Sequence, residues 1–227
     1  MRAYSVFDII GPVMIGPSSS HTAGAARLGK IARIISGGDI KSVQFLLHGS
    51  FAKTYKGHGT DRALAAGILG MNPWDENLKN AIKIASASNE GIQLEFIESN
   101  LGEAHPNTVK FIIVKHDGSC IEIQGSSIGG GNILITEVDG EKVQFTGEYP
   151  TLIIKHKDVP GVVSRITTIL YENNINIAFL RVYRSIKGSE ATMVFETDSI
   201  VTNNVIEKIN ALLYVDKVRI INPIVEG

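Results

Sequence analysis

The chain has 227 residues, a formal net charge of −1, 44% hydrophobic residues and a single cysteine. This length suits one large domain or two modest ones. The near-neutral net charge does not indicate electrostatic binding to nucleic acid or to an anionic membrane. The apolar runs are too short to span a bilayer and no secretory signal is visible, so we expect a cytoplasmic protein without nucleic-acid or membrane partners.

The N-terminal part of the chain is predicted to be mainly helical. Apolar side chains recur at helical spacing over residues 21–36, with Ser19 or Ser20 as the N-cap and Gly37 and Gly38 as the stop. Three further elements are predicted next in the chain: a buried strand at 42–48, and helices at 60–71 and 74–87.

Beyond residue 91 the hydrophobic period shifts toward two, which indicates strands. They are predicted at 92–99, 107–115, 120–128 and 132–138. The single cysteine, Cys120, lies in the third of them, where we expect a half-buried side chain. This first domain, residues 1–147, is therefore a mixed α/β (α+β) domain, and residues 141–150 are the predicted linker.

Residues 148–227 form the second predicted domain. Its elements are strands at 151–157, 175–185, 190–198 and 215–222, with helices at 160–174 and 203–214. The order βαββαβ is that of the ferredoxin-like split βαβ module. We expect its four strands in one sheet and both helices on one face, with Pro160 near the first turn of the first helix.

The stretch "GPSSSHT" places unusual chemistry at a helix entrance. The first N–H groups of a helix lack internal partners and attract a carboxylate. Ser18, Ser19, Ser20 and Thr22 add hydroxyl donors, and His21 adds an acid–base group that titrates near neutral pH. A helix cap decorated with serines is the alternative interpretation.

A similar cluster, "GHGTD", places His58 between two glycines ahead of a helix that begins at Thr60 or Asp61. The glycines let the backbone approach a ligand closely. A flexible turn with an exposed histidine is the alternative. Two histidines, each at a Gly-rich or Ser-rich helix entrance, indicate an amino-acid site more strongly than either motif does alone.

Weaker anion-binding candidates occur at three other places. In "HPN", His105 and Asn107 would project to the same side of an extended segment and could hold a carboxylate, unless this is turn chemistry. In "SIGGG", the glycines at 129–131 form either an anion nest or a tight corner. In "KDVPGVV", Asp158, Pro160 and Gly161 lie at the start of the first helix of the second domain, where a carboxylate could bind.

These motifs, in this order and spacing, resemble a known family. "IGPSSSHTAGAARLG", "GHGTDRALAAGILG", "HPN" and "SIGGG" are similar to the beta domain of bacterial iron–sulfur L-serine dehydratases, over about residues 3–135. Residues 150–223 resemble an ACT domain, a βαββαβ regulatory module that often binds amino acids. The pairing looks like the beta subunit of a two-subunit serine dehydratase.

The resemblance implies elimination of water from L-serine at a [4Fe–4S] cluster, giving pyruvate and ammonia. A cluster with one open iron needs at least three cysteine ligands, and this chain has only Cys120. The resemblance therefore implies that a separate alpha subunit holds the cluster, and that no metal is bound by this chain.

The resemblance also assigns site residues. His21 and His58 would be catalytic and face the cluster of the alpha subunit. The substrate-binding set would be Ser18, Ser19, Ser20, Thr22, Thr60 and Asp61. Allosteric roles would fall to His105 and Asn107, which match a serine site shared in fold with some phosphoglycerate dehydrogenases, and to Asp158, Pro160 and Gly161 of the ACT domain.

Some alternatives stay open on the sequence. The chain could be a purely regulatory serine-binding protein without a catalytic contribution. A pyridoxal-phosphate dehydratase with "SSIGGG" as its phosphate cup would need a Schiff-base lysine in a recognisable setting, and none is found. The ligand of the ACT domain, L-serine or another amino acid, is not determined. Self-association through that domain is expected, because its sheet has edge strands.

Overall fold

The computed structural model describes residues 13–87, 91–184 and 187–223. The chain divides after Gly140 into two compact units. The predicted linker is not wholly a connection, because Glu141–Phe145 forms a strand at the start of the second unit. The glycine and asparagine break predicted at residues 89–91 lies largely outside the described residues.

The first unit is a mixed α/β domain, as predicted. A π-helical turn at Ser19–Gly24 leads into α1 Ala25–Ser36, β1 Ile40–Leu47, α2 Gly49–His58, α3 Thr60–Ile68, a 3-10 turn Glu76–Asn80, α4 Ala81–Ala87, β2 Gln93–Glu98, β3 Thr108–Lys115, β4 Cys120–Gly129 and β5 Asn132–Val138. These strands follow the order β2-β1-β3-β4-β5. Only the β1–β2 pair is parallel; β1–β3, β3–β4 and β4–β5 are antiparallel.

The core of this unit lies on one face of the sheet. Phe45 on β1 pairs with Phe111 on β3, which pairs with Ile123 on β4, and all three are fully buried. Gly125 continues this face, and a side chain there would lie 2.7 Å from a methyl group of Leu28 on α1. The sheet therefore uses a glycine to admit the apolar stripe of α1.

Helices α1 and α3 pack closely through two glycines. A Cβ on Gly67 would lie 2.1 Å from the carbonyl oxygen of Ala26, and a Cβ on Gly29 would lie 2.4 Å from that of Leu64. Further along both helices, Arg33 donates to the carbonyl of Ile68 at 3.0 Å. Thr22, just before α1, lines the same cavity as Gly59 and Arg62 at the start of α3. The N-terminal ends of the two helices therefore lie at the same end of the pair, and their C-terminal ends at the other.

Several local predictions are corrected here. The first helix is capped by Ser18, not by Ser19 or Ser20, and it starts with a π turn. The helix α2 was not predicted, and the helix predicted at 74–87 divides into a 3-10 turn and α4. Cys120 is exposed rather than half-buried. Among the described helices, none combines the length and apolar character needed to cross a membrane.

The second unit has the predicted βαββαβ order. Its elements are β6 Glu141–Phe145, β7 Thr151–Lys157, α5 Val162–Glu172, β8 Ile177–Arg184, β9 Glu190–Thr197, α6 Asn203–Asn210 and β10 Val215–Ile221. The ferredoxin-like strands follow the order β10-β7-β9-β8 and all pairs are antiparallel. Both helices cover one face, where Ile154 and Phe195 pack with Ile166 of α5 and Ile209 of α6.

The opposite face of this sheet is contacted by β6. Lys155 on β7 forms an ion pair with Glu141 at 2.8 Å, and Arg181 on β8 donates to the carbonyl of Gln144 at 3.3 Å. Helix α5 begins at Val162 rather than at residue 160, because Gly161 is its N-cap with φ 92°, and Pro160 lies directly before this cap, near the first turn as predicted. A residue with a Cβ adopts this left-handed backbone only with strain.

We predict that Gly67→Ala destabilises the protein although alanine favours helix. The added methyl group would overlap the backbone of α1, so the free energy of unfolding should fall by about 1–3 kcal/mol. Gly57→Ala is the matched control, because no atom lies within 4 Å of a Cβ there; it should be neutral or stabilising by up to about 1 kcal/mol. Urea denaturation of both variants measures the difference, and equal stabilities would contradict close packing at Gly67.

Candidate active site

The serine-rich stretch folds as a capped helix entrance. The hydroxyl oxygen of Ser18 accepts the backbone N–H of His21 at 3.2 Å, and the carbonyl of Ser18 accepts that of Thr22 at 2.8 Å. A side chain on Gly16 would lie 2.4 Å from the Thr22 hydroxyl oxygen, so the preceding loop lies directly against the turn. The stretch is therefore a helix cap, and the loop before it packs against the first turn.

His21 lies at the centre of this site. Its Nε2 is 3.1 Å from the hydroxyl of Ser50 on α2, and its Nδ1 is 3.4 Å from that of Ser18. The edge of the ring packs against Phe51, with centroids 5.3 Å apart. The ring of His58 lies 4.8 Å away, centroid to centroid. The two histidines, 37 residues apart in sequence, therefore form a pair.

The environment lowers the pKa of His21 below the ordinary value of 6.5. The larger cause is partial burial, which penalises the charged imidazolium, and the second is the charge of His58 when it is protonated. His21 is therefore neutral at neutral pH. A neutral imidazole in contact with hydroxyls can accept a proton from a bound molecule.

His58 differs from its predicted setting. It is the last residue of α2 and is exposed, and Gly59, with φ 70°, joins α2 directly to α3. The prediction of a helix just after His58 is right. The alternative, a flexible turn with an exposed histidine, is right about the exposure, but the residues before Gly59 form a helix. Thr60 is fully buried, and its hydroxyl has no hydrogen-bond partner among the described residues. The carboxylate of Asp61 accepts the N–H of Arg62 at 2.8 Å.

A cavity of about 300 Å³ lies beside the histidine pair. It is lined by Gly16, Pro17 and Thr22 from the serine-rich stretch, by His58, and by three cationic residues that the sequence analysis did not single out, Lys56, Arg62 and Lys79. The buried hydroxyl of Thr22 has no hydrogen-bond partner in the described part of the chain. Such a lining suits a small molecule that carries a carboxylate.

The cationic residues and Ser50 had only weak sequence signals. Lys56 and Arg62 flank "GHGTD" on either side, so proximity to that motif could have suggested them. Lys79 and Ser50 carry no local signal, since the fold alone brings them to the cavity and to His21.

The "HPN" segment is a turn rather than an extended segment. His105 Nδ1 accepts the backbone N–H of Asn107 at 3.1 Å, and Pro106 and Asn107 lie in a turn just before β3. The carbonyl of Pro106 accepts the N–H groups of Ser50 at 2.7 Å and Phe51 at 3.3 Å. The turn therefore satisfies the N-terminal N–H groups of α2, the helix that carries Ser50 and His58.

The glycines of "SIGGG" form a tight corner. Gly129, Gly130 and Gly131 have positive φ angles of 105°, 60° and 82° and make the turn between β4 and β5. The carbonyl of Gly131 accepts a hydrogen bond of 2.8 Å from Arg27 on α1. The turn therefore helps to hold the helix that follows the serine-rich stretch.

In the second unit, Asp158, which follows β7, is held by the β8–β9 hairpin. Its carboxylate accepts the N–H of Gly188 at 2.8 Å and forms an ion pair with Arg184 at 2.8 Å. The Gly188 hydrogen bond is the largest cause that lowers the pKa of Asp158. The loop from Asp158 to the Gly161 cap is thereby tied to the β8–β9 hairpin.

The donor set of this chain does not fit an iron–sulfur cluster. Within the described residues, no three His, Cys, Asp or Glu side chains come together as metal ligands. The chain has one cysteine, and a [4Fe–4S] cluster with an open iron needs three.

Comparison with known proteins gives consistent results for both units. The serine dehydratase beta chain family matches residues 5–138, and the ACT domain family matches residues 150–214. The chain is 42% identical over 212 residues to a probable L-serine dehydratase beta chain of Bacillus subtilis, covering 93% of this chain and 95% of that one.

Two further relatives extend the comparison. The L-serine dehydratase beta chain of Peptoniphilus asaccharolyticus is 40% identical, with 90% of this chain and 91% of that chain covered. A D-3-phosphoglycerate dehydrogenase of Methanocaldococcus jannaschii is 33% identical over 200 residues, which are 87% of this chain but only 37% of that enzyme.

We predict that His58 contributes to the lowered pKa of His21. In His58→Gln the neighbouring positive charge is absent, so protonation of His21 becomes easier and its pKa rises, while burial keeps it below 6.5. An NMR titration of the histidine rings measures this change. His116→Gln, in an exposed turn, is the control and should leave the pKa of His21 as it is. An unchanged value in His58→Gln would contradict the coupling.

Proposed function

This chain belongs to the serine dehydratase beta-chain family and ends in an ACT domain, and we propose that it completes the active site of an L-serine dehydratase on an alpha subunit. The reaction is that of an L-serine ammonia-lyase, which converts L-serine to pyruvate and ammonia. The observation that carries the proposal is the His21–His58 pair, 4.8 Å apart beside a cationic cavity.

The cavity is proposed to bind the substrate carboxylate. Lys56, Arg62 and Lys79 supply positive charge, and the unpartnered hydroxyl of Thr22 supplies a donor. Ser18, Ser19 and Ser20 line the helix entrance beside them, at intermediate exposure. Cations around a carboxylate in a half-enclosed site stabilise it more than they would in water. L-serine bound in this way would place its α-carbon near the histidines.

His21 is the better of the two histidines for the role of general base. It is half-buried, held between two hydroxyls and neutral at neutral pH, whereas His58 is exposed. A base takes the α-proton as the hydroxyl of serine leaves. His58, next to the cavity, would orient the substrate or relay the proton onward.

The alpha subunit is proposed to bring the [4Fe–4S] cluster that the family implies. This chain cannot supply the thiolates, so its share of the work is to bind the carboxylate, exclude water and move a proton. The site would then lie at the junction of two subunits, which agrees with an exposed His58. A cytoplasmic location stays a prediction.

Regulation is proposed to involve two places in the chain. The ACT domain would bind L-serine or another amino acid at the loop from Asp158 through Pro160 to Gly161, whose N-cap opens α5. The turn at His105 and Asn107 would form a second serine site. Its position at the start of α2 would let a bound ligand act on the helix that carries His58.

A purely regulatory serine-binding protein is the second candidate. The similarity to a D-3-phosphoglycerate dehydrogenase over 87% of this chain favours it, because that enzyme is named for a different reaction. It predicts binding of serine without any contribution of this chain to turnover.

The first test is reconstitution with the alpha subunit under anaerobic conditions. The isolated chain should not release pyruvate from L-serine, and the mixture should. His21→Ala and His58→Ala in the mixture should lower kcat by about 10²–10⁴-fold for whichever residue acts as acid or base, with little change in melting temperature. His116→Ala is the control. Near-normal kcat in both variants would favour the regulatory candidate, and sustained pyruvate release by the chain alone would contradict the two-subunit site.

Self-association through the ACT domain makes a separate prediction. Strand β8 ends the sheet order, and Phe179, Leu180 and Val182 on it are 46%, 38% and 47% exposed. The whole chain should therefore be dimeric by light scattering, and Val182→Lys should shift it toward monomer because a charge blocks edge pairing. Leu213→Lys, at another exposed apolar residue, should not. A monomeric parent chain would contradict the pairing.

A further inference from the structure

We propose that Ser50 is a positioning residue for His21, whose hydroxyl sets the orientation of the imidazole and the nitrogen that carries its proton. The catalytic consequence rests on the proposed function, but the structural claim does not. Ser50 Oγ lies 3.1 Å from His21 Nε2, closer than the 3.4 Å between Ser18 Oγ and Nδ1. Each ring nitrogen of His21 therefore has a hydroxyl neighbour.

The main chain of Ser50 is anchored through its N–H, which donates to the carbonyl of Pro106 at 2.7 Å. Gly49, with φ 59°, allows the close approach, because a Cβ there would lie 2.6 Å from the oxygen of Pro106. These contacts fix the first turn of α2 while the side chain of Ser50 faces His21.

Phe51, the next residue, restricts the same ring. Its side chain is fully buried and meets His21 at an angle of 64° between the ring planes. An imidazole that has an aromatic neighbour on one side and hydroxyls at both nitrogens has few orientations open to it. The first turn of α2 thus sets the position of His21 through two consecutive residues.

The hydroxyl of Ser50 also matters for charge. A neutral imidazole has one donor and one acceptor, whereas imidazolium donates from both nitrogens. When His21 takes a proton, Ser50 and Ser18 can accept from Nε2–H and Nδ1–H, and such charge-assisted bonds are the stronger ones. In a half-buried site the cation would otherwise lose solvation without replacement. Ser50 therefore favours the protonated form that follows proton abstraction.

The test uses the full chain and four variants: Ser50→Ala, Ser50→Cys, Ser50→Thr and Thr54→Ala. Nitrogen NMR of the histidine rings reports the tautomer and the pKa of His21, assigned with His21→Ala. Loss of the hydroxyl in Ser50→Ala should lower that pKa further and change the Nδ1–H to Nε2–H ratio. In Ser50→Cys the side chain keeps its size, but the thiol is a weak hydrogen-bond partner. The pKa and the tautomer ratio of His21 should therefore shift in the same direction as in Ser50→Ala.

The remaining variants separate this effect from general damage to the helix. Ser50→Thr keeps the hydroxyl and should resemble the parent. Thr54→Ala removes a hydroxyl from the same helix that donates to a backbone carbonyl and, among the described residues, makes no hydrogen bond to His21. It should leave the His21 signals unchanged. The titratable residues around the site are Lys56 and His58 on the same helix and, on other elements that line the cavity, Arg62 and Lys79; all are retained in every variant. Unchanged His21 signals in both Ser50→Ala and Ser50→Cys would overturn the proposal.

Kinetics with the alpha subunit then test the consequence. Misplacement of the base should lower kcat by up to about 10²-fold in Ser50→Ala, with KM nearly unchanged, and move the acidic limb of kcat/KM to lower pH. Ser50→Thr keeps the hydroxyl, so its kcat and the acidic limb of its kcat/KM profile should resemble those of the parent. If the NMR changes occur but neither Ser50→Ala nor His21→Ala slows turnover, positioning is right and the catalytic role of His21 is wrong.

Discussion

The close packing of α1 on α3 is the constraint on which the rest of the first unit depends. Gly29 and Gly67 let the two backbones approach to a distance that no side chain would permit. Because the helices run in the same sense, their entrances lie at the same end, and each entrance carries a histidine motif. The close approach holds the two entrances side by side, and His21 and His58 meet there beside the loop of Gly16 and the cations that line the cavity.

The chemistry of the site follows from a balance between burial and charge. Partial burial has the larger influence on His21 and keeps its imidazole neutral, and His58 adds to this effect. The cavity beside the pair is nonetheless rich in cations. The cationic pocket can bind the carboxylate of a small molecule while the neutral imidazole beside it accepts a proton from the same molecule. A protonated histidine could not accept that proton. In our proposal, the hydroxyls of Ser18 and Ser50 stabilise the positive charge on His21 after it accepts a proton.

The first turn of α2 joins the two kinds of site that the family suggests. Ser50 donates its N–H to Pro106, inside the turn of His105 and Asn107, and its hydroxyl contacts His21. A conformational change in that turn could therefore reach the imidazole of His21 through a single residue, Ser50. In the second unit, the loop from Asp158 to Gly161 is tied to the β8–β9 hairpin, because the carboxylate of Asp158 accepts the N–H of Gly188 and pairs with Arg184. A ligand there would have to act on the β8–β9 hairpin as well as on α5.

The sequence by itself determined the elements whose hydrophobic period is strong, the βαββαβ order of the second unit, the capped entrance at "GPSSSHT" and the inability of one cysteine to hold a cluster. It did not reveal α2, because only Phe51 and Ala52 of that helix are buried and its start is satisfied by Pro106, 56 residues after Ser50. Only the tertiary structure decided that "HPN" is a turn, that Cys120 is exposed, and that Ser50, Lys56, Arg62 and Lys79 belong to the site. The physical reason is that periodicity and capping are local, whereas a site is made by side chains whose neighbours are distant in sequence and are chosen by packing.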